Sequence, residues 1–311
     1  AAASFQRAVE ANPTFANAHL ALGLALQDQD RLGEAAQCYR RAIEIDPGDV
    51  EALVNLGNVL RTEGRLDEAV GAYEQALESA PERAEIHSNL GVALQERGEL
   101  ETAFTSYDRA LELNPDDAET HRNRAQALLL AGRFAEGWEE YEWRWKTRHL
   151  AAQERQFTEP RWDGSDLDGR TIVIHAEQGY GDTIQFVRYI GLVAARGGRV
   201  VLECPAPLAQ IMTSAPGVET VVAGGATLPP FDVQAPLLGL PRLFQTTADT
   251  IPGDVPYLAP AAAAVKKWRT IMDLSGHLRV GIVWQGNQRH RGDRLRSPGL
   301  KSLCPLFDIP G

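Results

Sequence analysis

Cysteine is scarce in this sequence: Cys38, Cys204 and Cys304 are the only three in 311 residues. Their odd number and wide scatter exclude a disulfide framework and any CxxC pair, and they fit a reducing compartment in which each is a small buried hydrophobe. Long apolar runs are missing too. None approaches the roughly 18 residues of a membrane span, although the hydrophobic fraction of 44% is ordinary for a globular protein. The first residues, AAASFQRAVEANP, lack the charged and then apolar order of a signal peptide. A cytoplasmic protein with no membrane span is expected. Positive charge is short in one half only. Residues 1–150 carry 15 Lys and Arg against 27 Asp and Glu, a net of −12, whereas residues 151–311 carry 16 against 15, a net of +1. The acidic half should repel nucleic acid, and the contrast argues for two modules.

What is present is a repeat. Pro13, Pro47, Pro81 and Pro115 recur every 34 residues, closing segments such as AIEIDP, ALESAP and ALELNP. Leu22-Gly23, Leu56-Gly57 and Leu90-Gly91 recur at one offset, followed by Ala35, Ala69 and Ala103, then Tyr39, Tyr73 and Tyr107, then Ala42, Ala76 and Ala110. These residue types suit two antiparallel helices in close contact. Gly and Ala sit where backbones nearly touch, Leu and Tyr fill the gaps, and Pro stops the second helix because it has no N–H to donate. Position for position the pattern resembles the tetratricopeptide repeat. The first residues match only the second helix of a repeat, so further repeats are expected before residue 1.

The fourth repeat degenerates after His121: Arg124-Ala125 replaces Leu-Gly, Gly137 replaces Ala, and Arg144 replaces the last small residue. Terminal repeats are expected to be atypical because they cap the stack. Trp138, Tyr141 and Trp145 then fall at i, i+3 and i+7, and four of the six tryptophans lie between 138 and 162. A flexible linker would be polar and rich in Gly and Ser, so this stretch is expected to pack the solenoid against the next module.

The concave face of such a solenoid, formed mainly by the first helices, usually holds a protein or peptide partner. Asn55, Asn89 and Asn123 recur on that helix at the same 34-residue spacing. A side-chain amide can donate and accept at once, and so can bind an extended peptide backbone without regard to sequence. This ladder is similar to that of O-linked N-acetylglucosamine transferase, with Ala21 breaking it in the first full repeat. Solvated or intra-repeat asparagines are the alternative.

After residue 170 the texture alternates between strand and helix. TIVIH at 171–175, a helix near 183–196, RVVLEC, LAQIMTS, VETVVA and FDVQAPL predict a parallel sheet with crossover helices. A further helix is expected in AAAAVKKWRTIMDL and a further strand in RVGIVW at 279–284. Between the first strand and helix lies the turn EQGYGD, with Glu177, Gly179, Gly181 and Asp182. A dinucleotide site would want GxGxxG there and an acid about 20 residues on, a place Glu203 could fill. Two residues oppose that reading. Ile184 replaces the third glycine, and Asp182 would set a carboxylate against the pyrophosphate at the helix start. Asp182 can instead take a proton from a substrate hydroxyl, or serve only as a helix cap.

Together, PRWDGSDLDGR, HAEQGYGDTIQFVRYIGLVAARGGRVVLE, FDVQAPLLGLPRLF, IPGDVPYL and VGIVWQGNQRHRGDRLRS resemble the bacterial tetratricopeptide-repeat glycosyltransferases. The catalytic half of that family is similar to heptosyltransferases, with two Rossmann domains. The resemblance implies that Gly181-Asp182 matches the turn whose Asp activates the acceptor hydroxyl, with Glu177 and Gly179 in the same turn. It also implies a second Rossmann domain that binds a nucleotide sugar, opened by residues 279–297. The loop there carries Asn287, Arg289, His290, Arg291, Arg294 and Arg296, with Lys301 beyond. Guanidinium groups suit a diphosphate leaving group; a solvated basic loop is the alternative, and the RGD at 291–293 is read as chance. The expected division is a solenoid over 1–148, a Rossmann-like acceptor domain over 149–277 and the start of a truncated nucleotide-sugar domain over 278–311. The implied activity is transfer from a nucleotide sugar, with no cofactor or metal, in the full-length protein and not in this fragment alone. A non-catalytic adaptor with a degenerate α/β module is the alternative. A nicotinamide-dependent dehydrogenase is the third reading, disfavoured by Asp182 and the missing glycine.

Overall fold

The computed structural model describes residues 2–152, 155–271, 297 and 302–304. Residues 1–258 form one compact unit and 259–311 a second. Among the described residues of the first unit, nine helices build the solenoid: α1 (Ala2–Ala11), α2 (Ala16–Gln27), α3 (Leu32–Ile45), α4 (Val50–Thr62), α5 (Leu66–Ser79), α6 (Ala84–Arg97), α7 (Leu100–Leu113), α8 (Ala118–Leu130) and α9 (Phe134–Glu140). Pro13, Pro47, Pro81 and Pro115 each stand two residues past a second helix, where a missing N–H costs nothing.

Each pair is held by a glycine meeting a tyrosine. A Cβ added at Gly23, Gly57 or Gly91 would lie 2.5, 2.5 and 2.6 Å from the ring of Tyr39, Tyr73 or Tyr107. Those rings are fully buried, so no larger residue fits without moving one. The tyrosine hydroxyls donate to Gln27 (2.7 Å), Asn58 (2.8 Å) and Gln95 (2.8 Å), which satisfies the one polar atom each ring takes inside. The turns within pairs demand a left-handed residue: Asp30, Gly64, Gly98 and Gly132 all have positive φ.

A feature that the repeat pattern left unread is a set of histidines on the first helices. His19, His87 and His121 donate a ring N–H to the carbonyls of Pro13, Pro81 and Pro115 at 3.0, 2.8 and 2.9 Å. They satisfy turn carbonyls just past the preceding helices, to which no backbone N–H donates.

The last pair departs from the others as its sequence departs. A Cβ at Gly137 would meet the Leu129 side chain at 2.8 Å and its backbone nitrogen at 3.1 Å, so α8 and α9 come too close for the usual alanine. Helix α9 then tightens into a 3₁₀ turn, Tyr141–Lys146, before the short α10 (Arg148–Ala151). The expected single stripe of Trp138, Tyr141 and Trp145 is split by this change of pitch. Trp138 and Tyr141 face the sheet core, Trp138 lying edge-on to Phe186 at 5.8 Å. Trp145 instead packs between the guanidinium groups of Arg144 and Arg161.

The sheet is wholly parallel, in the order β3-β2-β1-β4, with β1 (Thr171–His175), β2 (Arg199–Cys204), β3 (Val218–Ala223) and β4 (Val233–Pro236). Helices α11 (Tyr180–Phe186) and α12 (Ile190–Ala194) follow β1, α13 (Ala209–Met212) follows β2, and α14 (Leu240–Leu243) follows β4. Strand β1 is buried along its whole length, as a central parallel strand covered on both faces must be. Its β-branched run packs with Trp162, Phe186, Tyr189 and Leu240 in a core that also takes in Ala125 and Tyr141 of the solenoid. The last helix pair of the solenoid therefore joins the sheet core, while the rest of the solenoid has a core of its own. The outer edge of β4 is covered by residues 160–162, which exchange backbone hydrogen bonds with Gln234, leaving no free edge there for a stray strand.

In the second unit α15 (Ala262–Ile271) is the described helix, within the expected stretch. The strand expected at 279–284 lies outside the described residues.

Candidate functional site

Two places carry chemistry. The first is the face of α4, α6 and α8. Successive first helices of the solenoid approach one another more closely than successive second helices do, so the first helices line the inner curve. Asn55, Asn89 and Asn123 stand there, half-buried, one per helix. Asn55 Nδ2 donates to the Glu51 carbonyl of its own helix at 2.8 Å, and Asn123 Oδ1 accepts from Arg122 at 3.1 Å. The Asn89 amide has no partner among the described residues. Each asparagine keeps at least one amide atom for a partner's backbone.

The second place is the turn after β1. In parallel sheets the crevice lies outside the carboxyl ends of the strands, where the strand order reverses, and here that is between β1 and β4. The turn EQGYGD and the Leu237–Gly239 3₁₀ turn after β4 meet at this point. Glu177 is buried in it. The Arg144 guanidinium, wholly buried, donates to Glu177 from Nη2 at 2.9 Å and from Nε at 3.3 Å, and the Leu238 N–H donates to the same carboxylate at 3.1 Å. Arg144 also donates to Glu142 (2.6 Å) and the Tyr141 carbonyl (3.1 Å), with its cation 4.8 Å from the ring centres of both Tyr141 and Trp145. Burial pushes the Glu177 carboxyl above its ordinary range despite the pull of Arg144. For Arg144 burial acts downwards, and the carboxylates of Glu177 and Glu142 more than offset it.

The next residue is fastened as well. Gln178, at φ 63°, donates from Nε2 to the Tyr141 hydroxyl at 2.9 Å. The left-handed residue of the turn is thus Gln178 and not one of its glycines. Gly179 is the residue before α11, at φ −90°, and Gly181 lies in its first turn with open space where a Cβ would be. Helix α11 starts at Tyr180, three residues before the expected 183. Asp182 is consequently not the cap itself but the third helical residue, and its Oδ2 accepts the Gly179 N–H at 2.9 Å. It is half-exposed, so its second oxygen remains open to a substrate.

His175 ends β1 beside this turn, buried, with Nε2 3.1 Å from Gln234 Oε1 and the Phe157 ring against it. Burial pulls its imidazole down to about 4. Glu203, the acid a dinucleotide site would use, is buried at the end of β2 and paired with Arg155. The sequence reading missed Arg144 as a partner of the turn; its one signal was a bulky charged residue at a position where the other repeats have alanine. Asn287, Arg289, His290, Arg291, Arg294 and Arg296 lie outside the described residues. Among the described residues no cluster of three or more His, Cys, Asp or Glu is placed to hold a metal, and no helix is long and apolar enough to cross a membrane.

The fold of residues 2–140 and its inner face define a protein-interaction repeat of the tetratricopeptide class. Tetratricopeptide-repeat family profiles match residues 14–82, 54–118 and 106–139. The chain is 29% identical over 203 residues to protein FlbA of Caulobacter vibrioides, a match that takes in 59% of this chain and 34% of FlbA. The chain thus spans about a third of that relative's length. Among solved structures it is similar to MamA, at 18% identity and a TM-score of 0.45 over 49% of this chain and 90% of that one. It is also similar to YrrB, described as a tetratricopeptide-repeat protein with an unusual peptide-binding site, at 26% identity and a TM-score of 0.42 over 48% of this chain and 77% of that one.

Proposed function

We propose that the full-length protein is a glycosyltransferase, in which the solenoid holds a protein or peptide and the α/β module, a Rossmann-like acceptor domain over 149–277, presents the acceptor hydroxyl. The observation that supports this reading is the parallel order β3-β2-β1-β4, whose reversal between β1 and β4 falls beside the Gly181-Asp182 turn that follows β1. The acceptor oxygen attacks the anomeric carbon of a nucleotide sugar, Asp182 takes the hydroxyl proton, and the bond to the nucleoside diphosphate breaks with its electron pair leaving on the phosphate. The basic residues from Asn287 to Arg296 belong, on this reading, to the nucleotide-sugar domain that begins near residue 278 and neutralise that phosphate. Asn55, Asn89 and Asn123 grip the backbone of the partner. The reaction is cytoplasmic and uses no cofactor.

A second reading, a non-catalytic adaptor, is favoured by one observation: Glu177 and Gln178 of the turn are spent on Arg144 and Tyr141 of the solenoid, so the turn works as a fastening. The deciding experiment is release of nucleoside diphosphate from nucleotide sugars by the full-length protein with its captured partner, before and after Asp182→Asn. Asn preserves size and an oxygen that can accept the Gly179 N–H, so stability should move by about 1 kcal/mol or less, while turnover should fall about 10²- to 10⁴-fold. Normal turnover in the variant, or its unfolding, removes Asp182 as the base. No release by the parent protein leaves the adaptor.

A further inference from the structure

The charge of the solenoid does not lie on its inner face. Residues 1–150 carry a net of −12, yet α2 has no Lys, Arg, Asp or Glu, and α4, α6 and α8 together have four glutamates and four arginines. The excess acid therefore sits on the second helices and the turns. The eight charges of the first helices are also answered within the protein. Arg61 meets Glu96 at 2.7 Å, Arg83 meets Glu51 at 2.8 Å and Glu85 at 3.5 Å, and Arg122 meets Glu119 at 2.9 Å. Arg97 and Arg124 are ion-paired as well. A partner on this face meets amides and no unpaired charge.

One end of the face is apolar. Leu20, Ala21 and Leu24 of α2 stand 34 residues before Val54, Asn55 and Asn58 of α4, and Leu24 is 42% exposed. A surface helix ordinarily turns polar residues to solvent, and α2 turns leucine there. This end is continuous with the asparagines, because α2 packs on α4, α4 on α6 and α6 on α8. Packed helices lie about 8–10 Å apart and an extended chain rises about 3.3 Å per residue, so a segment of about ten residues reaches from α2 to α8.

We propose that the partner is an extended, uncharged protein segment of that length, with a large apolar side chain at one end seated on Leu20 and Leu24 and its backbone crossing Asn55, Asn89 and Asn123. The proposal rests on the ladder reading above and not on sugar transfer. The test selects 12-residue peptides from a random phage-displayed library on the 311-residue protein, then titrates the strongest binder as a fluorescein-labelled synthetic peptide. Enriched sequences should carry a large apolar residue at one end and few of Lys, Arg, Asp and Glu elsewhere, and affinity should move less than about twofold between about 50 and 500 mM NaCl. Leu24→Asp should weaken the peptide at least tenfold, and the milder Leu24→Gln about 3- to 10-fold. Position 24 is partly exposed, so at least one of the two should keep the parent's unfolding temperature. Asn55, Asn89 and Asn123 changed together to Ala should also weaken the peptide. Loss in that variant with full binding by both Leu24 variants leaves the ladder standing and overturns the apolar anchor; full binding by the asparagine variant removes the ladder and the crossing path with it. The proposal is also overturned if no sequence is enriched, if the enriched sequences are rich in charge, or if sedimentation shows a dimer that Leu24→Asp parts, since a second copy then occupies the face.

Discussion

Replacing Arg144 by methionine tests the joint between solenoid and sheet. The side chain is fully buried, and the carboxylate it holds, Glu177, is 6% exposed. In Arg144→Met, Glu177 would keep only the Leu238 N–H, and a buried charge stripped of its partner costs about 3–5 kcal/mol. That is a large share of the roughly 5–15 kcal/mol by which a domain is stable. Arg144→Met with Glu177→Gln should recover much of the loss, because a neutral amide oxygen still accepts from Leu238 and no unpaired charge remains. The loss should also depend on pH. Burial already raises the Glu177 carboxyl, and loss of Arg144 raises it further. The folded variant then binds more protons than the unfolded chain from about pH 4.5 up to the raised value, so its stability falls as pH rises through that window, by up to about 1.4 kcal/mol per pH unit. Acidification should therefore narrow the gap between variant and parent. Urea unfolding followed by tryptophan fluorescence suits the measurement, since four of the six tryptophans lie at 138–162 around the joint. A single variant within about 1 kcal/mol of the parent at pH 7, or a deficit that acid does not reduce, refutes the reasoning.

Three other outcomes follow from the same geometry. His175 is held down to about 4 by burial, so the folded chain binds fewer protons than the unfolded one between about pH 6.5 and 4; its contribution, about 3 kcal/mol, is whole above pH 6.5 and lost as pH falls through that range. His175→Gln should flatten that part of the stability curve, and a parallel curve would remove His175 as its cause. Gly57→Ala sets a Cβ 2.5 Å from the Tyr73 ring whereas Gly71 has nothing within 4 Å, so thermal unfolding should show about 1–3 kcal/mol lost in the first and about 0.5–1 gained in the second; equal effects would contradict the close approach. Changing Asn55, Asn89 and Asn123 together to Ala should leave the urea midpoint nearly unmoved, since the amides are half-buried, while weakening partner capture; unaltered capture would end the ladder's role.

The repeat was legible in the sequence because its information is local. Pro, Gly and Tyr at fixed offsets state where a helix stops, where two helices touch and what fills the gap, and each requirement is met within about one repeat. Three of the strands, 171–175, 199–204 and 218–223, fall where their β-branched runs lie; the two central ones, 171–175 and 199–204, are buried on both faces and need such a run. The site was legible only as residue types. EQGYGD reads the same whether it faces a phosphate, a sugar hydroxyl or an arginine, because a turn's composition reports its backbone shape and not its neighbour. That Glu177 meets Arg144, 33 residues earlier, follows from two things decided by tertiary packing. Helix α9 tightens to 3₁₀ pitch at Tyr141 and so redirects Arg144 and Trp145, and the order β3-β2-β1-β4 puts the turn after β1 beside the turn after β4. Periodicity states which face of an element is buried; which distant side chain covers it is decided only when whole elements pack and every buried charge must find its counterpart.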